Sequence, residues 1–74
     1  MNFRKLRGRI VEKYGSVLRF SRILGISNVS VYNKLSARTD FSRSDILKWA
    51  NLLNIPTRSI GEYFFTENVE NSHQ

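Results

Sequence analysis

The chain has 74 residues, no cysteine and a net charge of +6. That length sets one small domain, burying about 60% of the unfolded chain's surface. Disulfides and thiolate metal sites are excluded, and no apolar run nears the ~20 residues of a membrane span, so no membrane partner is expected.

The charge is unevenly spread. Residues 1–43 hold ten of the twelve Lys and Arg against Glu12 and Asp40, a balance of +8. Residues 44–74 hold Lys48 and Arg58 against four carboxylates, a balance of −2. The first part suits a polyanion and the second does not. The basic opening "MNFRKLRGRIVEKYG" is not followed by an unbroken apolar stretch, so it does not read as a signal peptide.

In chain order, the spacing of Phe3, Leu6, Ile10 and Tyr14 predicts a helix over 2–14, stopped at Gly15. Ser16 suits the N-cap of a second helix reaching Leu24, with Val17, Phe20, Ile23 and Leu24 as its apolar stripe. Gly25 closes it, and Ser27 caps the next helix, expected over 28–36. Ile26 and Val31 have the spacing of a hydrophobic staple, with Ile26 expected to plug the corner into the core. Val31 and Leu35 hold this third helix inward.

Residues 36–41 read as a loop with Phe41 buried, and Ser42 with Asp45 reads as a capping box. Ile46, Trp49, Ala50 and Leu53 repeat at helical spacing until Pro56 disfavours helix at Ile55. Trp49 at that spacing reads as core rather than as a stacking platform. Ser59 is placed as the cap of a short fifth helix, Ile60 to about Phe64, although "YFF" at 63–65 also has strand character. The expectation is an all-α fold, a compact four- to five-helix bundle. Residues 1–65 form its domain and residues 66–74 a flexible polar tail.

Catalysis is not expected. The single histidine, His73, lies in the tail, the carboxylates are scattered, and no glycine-rich phosphate loop occurs. No catalytic residue, metal site, cofactor or small-molecule substrate is therefore assigned.

Two short helices around a glycine turn have helix-turn-helix spacing. Ser21 is small where they should cross, and Gly25 permits the reversal. The stretch "SVLRFSRILGISNVSVYNKLSARTDF" resembles the Cro/repressor-type (Xre-like) helix-turn-helix family of phage and bacterial regulators. It matches in Phe20-Ser21, in Gly25-Ile26-Ser27 at the turn, in the inward Val31 and in "NKL" ending at Leu35. "KLRGRIVEKYG" and "ILKWANLLNIP" are similar to the small single-domain phage members, so the likeness spans about 3–65. Family members often carry Gln where Val17 stands, Ala where Ser21 stands and Gly where Ala37 stands.

The resemblance implies a lambda-repressor-like DNA-binding domain in the bacterial cytoplasm, associated with the nucleoid. It places Asn28, Val29, Tyr32 and Asn33 at base edges in the major groove. Asn can pair bidentately with adenine, and a Val methyl can meet a thymine methyl. It places Ser16, Arg19, Ser27, Lys34, Ser36 and Arg38 at phosphates, aided by helix N-terminal amides. Operators of this family are read by dimers, so Ile60, Tyr63, Phe64 and Phe65 are assigned either to closing the core or to a dimer surface. The function implied is a Cro-type transcriptional regulator that represses phage promoters in the lysis–lysogeny switch. The alternative is a phage antirepressor that binds the lysogeny repressor protein and blocks its DNA binding.

Overall fold

The computed structural model describes residues 3–65. Its elements are α1 (Arg4–Tyr14), α2 (Val17–Leu24), α3 (Asn28–Leu35), α4 (Arg43–Leu52), a 3₁₀ turn (Thr57–Ser59) and α5 (Ile60–Phe64). No strand occurs among the described residues, and "YFF" closes α5. The tail expected over 66–74 lies outside them.

Serines start three of the helices as expected. Ser16 Oγ accepts from the Arg19 amide, Ser27 Oγ from the Ser30 amide and Ser42 Oγ from the Asp45 amide. At Ser42 the box is reciprocal, because the Asp45 carboxylate accepts from the Ser42 amide at 2.9 Å. Each such cap stabilises its helix by about 1 kcal/mol. Ser59 differs: it belongs to the 3₁₀ turn and its side chain makes no cap bond.

Glycines stop α1 and α2 where the sequence places the stops, whereas α3 and α4 end without one. Gly15 and Gly25 take φ of 92° and 80°, as a chain reversal requires. After α3, Ala37 adopts φ 65°, and the Arg38 amide donates to Asn33 O at 2.8 Å while the Ala37 amide donates to Lys34 O. After α4, Asn54 adopts φ 56°, and the Ile55 amide reaches back to Ala50 O at 2.8 Å. Both are Schellman turns built without glycine. The second ends α4 at Leu52, before Pro56 has any influence.

The core gathers Leu6 and Ile10 from α1, Val17, Phe20 and Leu24 from α2, and Val31 and Leu35 from α3. Trp49, Ala50, Leu53, Ile55 and Phe64 complete it from below. Rings run through it edge to face: Phe20 on Trp49 (5.0 Å), Trp49 on Phe41 (4.9 Å), and Phe41 on both Phe64 and Phe3 (5.2 Å each). Such pairs contribute about 0.5–1.5 kcal/mol beyond burial. Phe41 is half-buried rather than fully enclosed.

Side chains also close helix ends across the fold. Tyr14 donates its hydroxyl to Leu52 O at 2.7 Å, and Arg9 donates to Leu53 O and Asn54 O, so α1 satisfies the carbonyls that α4 leaves open. Lys48 does the same for Leu24 O.

Two side chains differ from expectation. Ile23 is 55% exposed and Ile26 is 39% exposed, so neither joins the core. An eight-residue helix has room for one narrow buried stripe, and Val17, Phe20, Ser21 and Leu24 occupy it. The corner is fixed by backbone bonds instead: the amides of Gly25 and Ile26 both donate to Ser21 O. The buried Ser21 hydroxyl donates to Leu18 O at 2.6 Å. Its small size permits the close contact of α2 with α3 there.

Candidate nucleic-acid interface

Helix α3 turns Val31 and Leu35 inward and leaves a polar face outward. On that face Val29 is 67% exposed, Tyr32 is exposed at its edge, and Asn28 and Asn33 are half-buried. The side chains of Asn28, Asn33 and Tyr32 make no hydrogen bond among the described residues; Asn28 Oδ1 is enclosed there without a donor. An enclosed acceptor left unmatched costs about 1–3 kcal/mol. The fold therefore keeps the four base-edge candidates on one helix and leaves the Tyr32 and Asn33 polar groups open, whereas Asn28 Oδ1 is closed off from a ligand.

The six phosphate candidates divide. Arg19 and Arg38 are exposed and form no ion pair among the described residues. Arg19 lies across the α1–α2 corner, where a Cβ built on Gly15 would meet its Nη1 at 3.6 Å. Ser16 uses its oxygen as a cap acceptor and keeps its proton. Ser27 and Ser36 spend their protons internally, on Ser30 Oγ (3.0 Å) and Tyr32 O (2.8 Å).

Lys34 corrects the sequence reading. Its ammonium is held by the Asp45 carboxylate at 2.9 Å and by Asp40 O at 3.1 Å, with the side chain only 17% exposed. It ties the end of α3 to the start of α4 and is not free for a phosphate. Partial burial pushes the Asp45 pKa up. The Ser42 amide, Lys34 and the Ser42 hydroxyl outweigh that, holding the carboxyl below its ordinary 3.8.

The aromatic cluster also divides. Phe64 is 3% exposed and belongs to the core, so it is not part of a dimer surface. Ile60 and Tyr63 are half-buried against the core, and Phe65 is exposed. Lys5 stands over the Tyr63 ring at 5.1 Å and pairs with Glu62, which closes α1 onto α5. Val17, where the resembled family often has Gln, is 4% exposed and packs inward.

The sequence leaves Arg7, like Arg4 and Arg9, either near a DNA backbone or only adding to the positive field. Its guanidinium lies over the Tyr32 ring at 5.4 Å, which brings α1 to the edge of the α3 face. Nothing local in the sequence pairs residues 7 and 32; only the packing of α1 on α3 does. Among the described residues no group of His, Cys, Asp and Glu could hold a metal ion, and no helix is long and apolar enough to cross a membrane.

Fold and surface define a small all-helical domain whose α3 presents a polar face with Arg7 at its edge. The chain belongs to a family described as a protein of unknown function (DUF739), whose model matches residues 1–67. No curated protein matches it.

Proposed function

We propose that the chain is a sequence-specific, double-stranded-DNA-binding transcriptional regulator of Cro type. Its α2–turn–α3 unit is a helix-turn-helix, with α3 lying in the major groove. One observation carries this reading. On α3 Val29 and Tyr32 are exposed and Asn33 is half-buried, with the Tyr32 and Asn33 polar groups unmatched among the described residues, while the exposed Arg19 and Arg38 form no ion pair among them. Asn33 reads a base edge, Val29 meets a thymine methyl, and the arginines fix register on the phosphates. The +8 balance of residues 1–43 draws the domain to DNA. In this reading two copies bind one operator, acting on phage or prophage promoters in the bacterial cytoplasm.

A mobility-shift titration on duplex from the chain's own promoter region tests it. A shift at ~50 mM salt is expected, with log K falling by about 0.9 per phosphate contact for each decade of salt. Asn33→Ala should remove about 1–3 kcal/mol of discrimination between operator and random DNA, while Arg38→Ala weakens both alike. Equal losses on the two DNAs for both variants would defeat the base-contact assignment.

A second reading rests on the apolar side of the same unit. Val17 offers no polar group at the start of α2, and Leu18, Ile26 and Val29 are exposed apolar residues of the α2–turn–α3 unit. Such a surface suits a protein partner, here a phage lysogeny repressor whose DNA-reading face it would cover. A purified repressor that loses its own operator shift on addition of this chain, with no shift by the chain alone, would replace the first reading by the second.

A further inference from the structure

We infer that Arg7 of α1 is a DNA-backbone contact held in place by the ring of Tyr32, so that the interface extends from α3 onto α1. This rests on the DNA-binding reading above. Four cations lie over rings in this molecule, and their surroundings separate them. Lys5 over Tyr63 is paired with Glu62, and Lys34 over Phe41 is paired with Asp45. Lys13 over Tyr14 is the most distant but one, at 5.8 Å, and its ring is anchored toward α4 by the bond to Leu52 O. Arg7 alone joins a guanidinium over a ring, with no acidic partner among the described residues, to the base-reading helix.

A cation–π contact uses none of the five N–H donors of a guanidinium as hydrogen bonds to an acceptor, so they stay available to another group. Their fork matches two oxygens of a phosphate, and an arginine already held on a ring loses less freedom on binding. The setting is rigid. The Phe3 amide donates to Leu35 O at 3.1 Å, fastening the start of α1 to the end of α3. Phe3, Arg7, Tyr32, Leu35 and Ser36 line a shallow depression between the two helices. Ser36 spends its hydroxyl proton on Tyr32 O, and Arg7 is the cation among these five residues. Tyr32 therefore acts in part as a positioning residue, through Arg7.

The test is a double-mutant cycle read by DNA binding across a salt series. Arg7→Ala should lower the salt slope by about 1 and weaken binding about fivefold at physiological salt, equally on operator and random duplex. Tyr32→Leu should weaken binding two- to fivefold, as expected for loss of an exposed cation–π platform, and Tyr32→Phe should restore it. The double variant should lose less than the sum of the two single losses. Arg7→Gln repeats the measurement with a side chain of similar length, and urea unfolding checks that each variant folds. An unchanged salt slope in Arg7→Ala and Arg7→Gln overturns the inference while leaving DNA binding intact. So do additive losses in the double variant, or a Tyr32→Phe as weak as Tyr32→Leu. A wild-type chain that shifts no duplex overturns the DNA-binding reading itself, and this inference with it.

Discussion

Helices α3 and α4 are built from the same parts and end up doing different things. Both are short, both start at a serine cap, and both stop at a Schellman turn whose left-handed residue is not glycine. At α4 the polar groups of both ends are matched within the fold. Asp45 completes its capping box and holds Lys34, and Tyr14 and Arg9 reach its terminal carbonyls. At α3 the side chains of Tyr32 and Asn33 have no such partners among the described residues, and only Asn28 Oδ1 is enclosed there. Polar groups that close on one another hold a fold together, and polar groups left open are the ones available to a ligand.

The comparison breaks hardest at the core side of α4. Trp49→Ala removes a side chain 1% exposed that meets Phe20 and Phe41 edge-on. A loss of about 3–5 kcal/mol is expected, enough to unfold a domain of this size at 37 °C, and circular dichroism during thermal melting reads it. A wild-type melting curve would remove Trp49 from the core.

Asp45→Ala comes next. It opens the capping box and strands Lys34, and should cost about 1–2 kcal/mol at neutral pH. The sign of the pH effect follows from the lowered pKa. The carboxylate contributes fully above the ordinary 3.8 and ceases to do so as pH falls through its lower folded-state value. Urea midpoints of wild type and variant should therefore converge in acid and separate above pH 4. Parallel curves throughout would mean that the pair contributes nothing.

Ala37→Gly should raise stability by about 1 kcal/mol, because an alanine held at φ 65° carries a penalty that glycine does not. Asn54→Gly at φ 56° should gain less, since asparagine tolerates that region. A gain at residue 54 exceeding that at residue 37 would reverse this ordering.

Much of this was legible in the sequence, and the exceptions share a cause. The caps at Ser16, Ser27 and Ser42, the stops at Gly15 and Gly25 and the inward Leu6, Ile10, Phe20, Val31 and Trp49 are set by local chemistry and period. Lys34 is the opposite case. It read as a surface cation because its partner Asp45 stands on another helix, brought near by the turn at Ala37. Arg7 and Tyr32 are likewise joined only by packing. Ile26 read as a plug because periodicity marks an apolar residue at a corner but not which way the corner points. Phe64 was left between core and surface because an aromatic run carries no sign of its inward member.

The smallest effect on stability is the most telling for α3. Asn33→Ala removes a side chain with no hydrogen bond among the described residues and replaces a poor helix former with a good one. The free domain should keep its stability or gain a few tenths of a kcal/mol. Asn28→Ala should do the same or more, since it also removes the unmatched Oδ1. Urea unfolding of the two variants measures this beside their DNA discrimination. Retained stability with lost discrimination at Asn33 would mark that side chain as kept for a partner. A loss above about 1 kcal/mol at either would show that α3, like α4, spends its polar groups on the fold, and the contrast between the two helices would fail.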